Sequence, residues 1–203
     1  MGDGLLVAIT GHVEHAVELG TDCVNALRAR GWYGDDDLAE QLDAALGRGA
    51  IPIRRSLPID LDELATILEG GPVNGGGRID LMTGEVWPRA AIDYARETGE
   101  EDEDESDDPD RWLWVDCEGS RDVYRDMEWF IGTIPDRDRA DRLEIAIEGK
   151  GAFRRFKDVL ARWPDQLERW YTFSEERQRG RARAWLAAAG CSPASPNQPG
   201  TEL

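Results

Sequence analysis

Apolar residues in the C-terminal part of the chain recur at helical spacing. Between residues 148 and 186, steps of three and four place four of them on one face of a helix: Phe153, Phe156, Leu160 and Trp163. The opposite face is charged and carries Arg154, Arg155, Asp158 and Arg162. This pattern predicts an amphipathic helix with an aromatic core face.

Glycine and proline mark where the helices of this region begin and end. Gly149 and Gly151 flank Lys150 at the point where the preceding helix stops, since glycine accepts the left-handed conformation that closes a helix. Pro164 is tolerated in the first turn of the next helix. Thr172 and Glu175 have the spacing of a capping box, which predicts another helix from near Phe173 to Gly190.

The middle of the chain alternates as strands do. Residues 78–81 and 85–87 flank Thr83-Gly84 and predict a β-hairpin, and residues 112–115 predict a third strand. Asp60 starts a short helix before the hairpin. After the third strand, helices follow from Ser120 and from Asp136 or Asp138. The predicted fold is therefore α+β, with a small antiparallel sheet of about three strands packed against a C-terminal set of helices.

The domain prediction divides the chain into three parts. Residues 1–50 form a helical extension of unclear role, with a helix over 12–29 that is interrupted at Gly20 and a second helix over 38–46. Residues 51–190 form one α+β domain. It includes an acidic loop over 98–110, because nine of the eleven residues from 100 to 110 are acidic. Residues 191–203, rich in Pro, Ser and Gly, are predicted to be a disordered tail.

Charge and composition narrow the class of function. The chain has 203 residues and a formal net charge of -18, which disfavours coating of nucleic acid by the whole molecule. It has no apolar run of the roughly 20 residues that span a membrane, and no export signal. Three widely spaced cysteines then predict free thiols and a cytoplasmic protein. The sequence predicts no cofactor and no metal.

Several of these segments together resemble a known family. RIDLMTGEVWP, the acidic loop, WLWV, MEWFI, EGKGAFRRFKDVL, RWYTF and RARAWL occur in that order. Over residues 57–190, the set resembles a bacterial group known as uncharacterised protein family 0158. The resemblance implies that 57–190 is one domain, and it implies no activity.

The glycine-flanked turn at Lys150, before the amphipathic helix, is the first candidate site. A helix start with open N–H groups, glycines for close approach and nearby cations suits an anion; the candidate residues are Gly149, Lys150, Gly151, Arg154, Arg155 and Arg162. The alternative is a glycine-closed turn followed by a solvated arginine face. A Walker loop is absent.

A wider basic and aromatic region surrounds this turn. Between Lys150 and Arg183, ten Lys or Arg stand against five acidic residues. Such an asymmetry is one feature of nucleic-acid faces. The alternatives are that the arginines pair with the chain's own carboxylates, or that the acidic loop lies across them.

Three weaker candidates remain. His12 and His15 share a helical face with Glu14 between them, but supply too few ligands for a metal site. Around the predicted sheet, carboxylates could act as an acid/base pair: Asp80, Glu85, Asp116 and Glu118. Tryptophans at the sheet could form an exposed interface: Trp87, Trp112 and Trp114.

The leading hypothesis is a non-enzymatic interaction or regulatory module. Its arginine face would bind an anionic partner, either an acidic protein surface or a nucleic-acid phosphate backbone. The alternatives are an enzyme acting on a phosphorylated substrate, anchored by Lys150 and Arg154, and a nucleic-acid-binding protein. The sequence does not predict the oligomeric state.

Overall fold

The computed structural model describes residues 2–50, 53–71, 75–99 and 108–194. The fold is α+β, as predicted. In chain order the elements are α1 (Gly2–Thr10), α2 (Ala16–Arg30), α3 (Asp35–Ala45), β1 (Arg55–Leu57), α4 (Leu61–Leu68), β2 (Gly77–Asp80), β3 (Val86–Pro88), α5 (Arg89–Thr98), β4 (Trp112–Val115), α6 (Arg121–Gly132), α7 (Arg137–Ile147), α8 (Ala152–Leu160), α9 (Pro164–Ala188) and β5 (Cys191–Pro193).

The N-terminal residues form three helices around a core of their own. Its buried members are Leu6, Ile9, Ala16, Val24, Leu27, Leu38, Ala39 and Leu42. The prediction missed α1, and it was wrong to interrupt α2 at Gly20. This glycine is buried in an unbroken helix, where an added Cβ would lie 2.8 Å from Ile9 Cδ1. Close packing between helices, rather than a break, explains the glycine.

The N-terminal unit is docked on α9. Gly34 and Gly180 meet backbone to backbone, so that a Cβ on either would collide with the other chain segment. Arg30 binds Asp35 and Glu176 and lies 4.0 Å from the centre of the Trp32 ring. The first 50 residues therefore pack against the domain through both apolar and ionic contacts.

The predicted three-stranded sheet is confirmed, in the order β3-β2-β4 with both pairs antiparallel. Asp60 caps α4 by accepting from the backbone N–H groups of Asp62 and Glu63. The sheet, α4 and the C-terminal half of α9 share a core that includes Leu64, Ile79, Val115, Ala182 and Leu186.

The tail was predicted to be disordered from residue 191, and this start was too early in the sequence. Cys191–Pro193 forms β5, which pairs in parallel with β1, and Cys191 is buried in the sheet core. Residues 195–203 lie outside the described residues, as do residues 100–107 of the predicted acidic loop. The described part of that loop includes the end of α5 and a turn at Asp108, whose carbonyl accepts from Trp112 N–H.

A second core joins α6, α7, α8 and the N-terminal half of α9. It is built from Met127, Phe130, Leu143, Phe156, Leu160 and Trp170, with others. The predicted helix start near Phe173 was wrong, because α9 runs unbroken from Pro164 to Ala188. Thr172 does not cap a helix; its hydroxyl donates to the carbonyl of Glu168 one turn earlier, at 3.2 Å.

Within the described ranges, we find no helix with the length and apolarity needed to cross a membrane.

Candidate functional site

The turn between α7 and α8 is closed by its two glycines, as predicted. Gly149 and Gly151 have φ angles of 74° and 78°, in the left-handed region. Asp136 caps the start of α7 by accepting from Arg139 N–H, at 3.1 Å. The turn therefore has a fixed backbone, with the side chain of Lys150 at its apex in solvent.

Arg155 holds this turn together. Its guanidinium donates to the backbone carbonyls of Ala146, at 3.0 Å, and of Glu148 and Lys150. The first two carbonyls lie at the end of α7 and the third lies in the turn, and none of them has a partner within any of the described helices. Of the predicted site residues, Arg155 is thus bound to the chain's own backbone.

The other cations of the turn and of α8 extend into solvent. Lys150, Lys157 and Arg162 are exposed and form no ion pair with any described residue. Arg154 lies 3.8 Å from Asp158, and both side chains are exposed, so that this pair is weak. We call Lys150, Arg154, Lys157 and Arg162 the α8 cations. They include both lysines of the sequence.

The arginines of α9 differ from the α8 cations in their contacts. Four of the five bind a carboxylate from another part of the chain: Arg177 and Arg181 bind Asp126, Arg181 also binds Glu69, Arg179 binds Asp62, and Arg183 binds Asp3. The fifth, Arg169, donates to the side chains of Gln166 and Thr133. The alternative interpretation of the basic region, pairing with the chain's own acids, thus holds for these four arginines of α9. It does not hold for the α8 cations.

The centre of the α9 network is buried. Asp126 is 1% exposed and accepts from Arg177 Nε at 2.8 Å and from Arg181 Nη1 at 2.7 Å. The Arg177 guanidinium also contacts the rings of Trp32 and Trp129, at 5.1 and 5.2 Å from their centroids. These charges tie α6 and the N-terminal unit to α9, and their role is structural.

A groove lies beside the α8 cations, between α6, α8 and α9. Its volume is about 460 Å³, and its lining residues include Met127, Phe153, Phe156, Lys157, Trp170, Tyr171, Ser174 and Gln178. Phe153 was predicted to be in the core, but 37% of it is exposed. The core stripe of α8 is formed by Ala152, Phe156 and Leu160. Phe153 and Lys157, one turn apart, form the edge next to the groove.

A larger open cavity of about 700 Å³ lies at the start of α6. Its charges largely cancel, because Arg125 binds Asp122 and Arg181 binds Asp126 and Glu69. Arg121 and Glu118 add one further charge of each sign to its lining. It is therefore a weaker anion site than the α8 cations.

The remaining candidates are accounted for by local structure. His12 and His15 both lie exposed at positive φ between α1 and α2, and the described residues contain no group of three or more acidic, His or Cys side chains placed to hold a metal. Asp80 is buried, caps the hairpin turn by accepting from Met82 and Thr83 N–H, and binds Arg111.

The other sheet residues are dispersed. Three of the candidate carboxylates are exposed: Glu85, Asp116 and Glu118. Trp112 is only 7% exposed and lies 3.7 Å from the guanidinium of the buried Arg78, so it belongs to the interior rather than to an exposed interface. Trp114 is partly exposed, on the outer face of β4.

Sequence reasoning counted Lys157 within the wider basic region, but it did not single out Tyr171 or Ser174 as members of a site. The sequence does contain part of the information needed to find this site. Phe153 and Lys157 are one turn apart on one helix, and Ser174 and Gln178 are one turn apart on another. That the two helices face each other across a groove follows only from the tertiary packing.

The sequence is similar to that of known proteins. The chain is 28% identical over 145 residues to the UPF0158 protein PA5073 of Pseudomonas aeruginosa, a match that covers 71% of this chain and 92% of the relative. No solved structure matches the chain. The model of the uncharacterised protein family UPF0158 matches residues 79–198, a segment that contains the α8 cations and the groove but not the three N-terminal helices. This match spans more than half of the sequence and confirms the predicted resemblance: the chain belongs to the uncharacterised protein family UPF0158.

Proposed function

We propose that the protein is a non-enzymatic interaction or regulatory module of the cytoplasm, and that the α8 cations bind an anionic segment of a partner protein. The observation that carries the proposal is the contrast between α8 and α9. In a chain of net charge -18, four of the five arginines of α9 have carboxylate partners, whereas the α8 cations have one weak pair among them.

The rigid turn favours this role. Because Arg155 and the two glycines fix the backbone, Lys150 and Arg154 are presented from a scaffold that loses little entropy on binding. Arginine can bind a carboxylate with two parallel N–H bonds, and lysine adds a compact charge. The three cysteines, all unpaired, support the cytoplasmic location.

The described ends of the acidic loop support an external partner. Both described ends of the loop belong to the sheet side of the molecule, since α5 packs on β2 and β3, and the Asp108 turn leads into β4. The sheet core contacts α9 at Leu186, whereas the α8 core contacts it at Trp170. Sixteen helical residues separate these points by about 24 Å.

Charge reversal tests the proposal. The double variant Lys150→Glu and Arg154→Glu should keep the wild-type unfolding midpoint but bind an acidic peptide about tenfold or more weakly, and wild-type binding should weaken as salt rises. The matched control reverses two exposed arginines elsewhere, Arg55→Glu and Arg96→Glu, and changes the net charge equally.

The outcomes are distinct. Equal loss in both double variants would attribute binding to net charge and contradict a role for α8. Unchanged binding in the α8 variant would exclude this face. Wild-type binding to an RNA oligomer, with none to acidic peptides, would replace the protein partner with a nucleic-acid backbone.

A further inference from the structure

The groove beside α8 has an apolar floor and an aromatic rim. Met127, Phe156 and Trp170 form the floor and are almost fully buried. Phe153 and Tyr171 rise on opposite walls, one from α8 and one from α9, and are 37% and 53% exposed. Exposed aromatic side chains next to an apolar depression are a frequent feature of sites that receive a partner's side chain.

The wall formed by α9 offers polar groups that suit a peptide backbone. The Ser174 hydroxyl makes no side-chain hydrogen bond within the described residues. Gln178 donates its amide N–H to Glu69, at 2.7 Å, which leaves its carbonyl oxygen as an acceptor. One helical turn separates the two residues, so a donor or acceptor is present at successive points along the groove.

The charges at the rim favour an acidic peptide over a polyphosphate chain. Lys157 stands at the groove edge, one turn from Phe153, and the other α8 cations continue the positive face outward. On the opposite wall, the exposed Glu175 shares Arg179 with Asp62, so that its negative charge is only partly balanced. A phosphate backbone in the groove would pass close to this carboxylate, whereas an apolar side chain would not be repelled by it.

We propose that the groove receives a single aromatic or branched aliphatic side chain of the anionic partner, and that the partner is therefore an acidic peptide segment with an apolar anchor. The inference rests on the proposed function, because it describes the partner of the same face. The anchor packs between Phe153 and Tyr171, its backbone meets Ser174 and Gln178, and its flanking carboxylates meet Lys157 and Lys150.

Two acidic heptapeptides test the anchor. EDEFEDE and EDEAEDE differ only at the central residue, and the phenylalanine peptide should bind about tenfold or more tightly, because burial of its ring adds to the charge contacts. Phe153→Ser combined with Tyr171→Ser should abolish the difference and leave the affinity for EDEAEDE unchanged. Tyr94→Ser, at another exposed tyrosine, is the control and should keep the difference.

The two lysines allow the site itself to be observed. Protein labelled with ¹³C at lysine Cε gives one signal each for Lys150 and Lys157, assigned with Lys157→Arg. EDEFEDE should shift the Lys157 signal by more than EDEAEDE does at saturation, because the anchor places the peptide against the groove edge.

Each outcome decides between the two proposals. Equal affinity for both peptides, abolished by Lys150→Glu with Arg154→Glu, would overturn the anchor and leave the proposed function in place. A phenylalanine preference that survives that charge reversal without weakening would overturn the proposed function but keep the groove. Absence of binding by either peptide would overturn both.

Discussion

Helices α8 and α9 both carry several positive charges but differ in what those charges meet. On α9, Arg177, Arg181 and their neighbours bind carboxylates from distant parts of the chain, and the innermost of them are buried. On α8 and in the turn before it, Lys150, Arg154 and Lys157 face water. The comparison shows that one basic region of a sequence can contain both cations that stabilise the fold and cations that remain open to a partner. Only the contacts of each side chain in the folded protein distinguish the two kinds.

The largest expected effect on stability concerns the buried ion pairs of α9. Asp126→Asn leaves Arg177 and Arg181 without a full counter-charge in the interior, so the free energy of unfolding should fall by about 3 kcal/mol or more. Chemical denaturation would measure the loss. The matched change on α8, Asp158→Asn, removes the exposed partner of Arg154 and should alter stability by about 0.5 kcal/mol or less. Similar losses in both variants would remove the distinction between the helices.

A second prediction separates two adjacent arginines within α8. Arg155→Met removes donors from three carbonyls at the end of α7 and in the turn that follows, and it should lower the free energy of unfolding by about 1 to 2 kcal/mol. Arg154→Met removes only an exposed pair and should change stability by less than about 0.5 kcal/mol. Chemical denaturation of both variants would check this. Equal effects would mean that the turn is not held by Arg155.

The sequence predicted local structure well where a residue's own chemistry decides it. The Asp60 cap, the glycine-closed turn at Gly149 and Gly151, the hairpin and the third strand were all confirmed. These features depend on backbone conformation and on contacts within one turn of helix or one hairpin.

It failed where distant contacts override local signals. Thr172 and Glu175 have capping spacing, but apolar packing on both cores keeps α9 continuous through them. Gly20 looked like a break and is a packing contact. Phe153 has core spacing, but it is at the edge of a stripe whose centre is Phe156, so only the positions of α6 and α9 reveal that it faces a groove.

The same limit applies to charge. A count of ten cations against five acids could not identify which arginines have partners, because Asp126, Glu69 and Asp62 are between 50 and 120 residues away from the arginines they bind. Carboxylates are numerous in this chain, and only tertiary structure selects the few that lie beside α9.

The smallest expected effect concerns an ion pair that is less buried than that of Asp126 and better formed than that of Arg154 and Asp158. Arg179 donates two hydrogen bonds to Asp62, and these lower the pKa of the Asp62 carboxyl below its ordinary value. Because the pKa is lowered in the folded protein, the stabilisation is complete above the ordinary value of about 3.9 and is lost as the pH falls through the lowered one. The pair is half-exposed, so the contribution at neutral pH should be about 0.5 kcal/mol. Urea denaturation of wild type and Asp62→Asn should therefore show a small difference near neutral pH that disappears in strong acid. A difference that persists unchanged in acid would show that Asp62 stabilises α4 by some means other than its ion pair with α9.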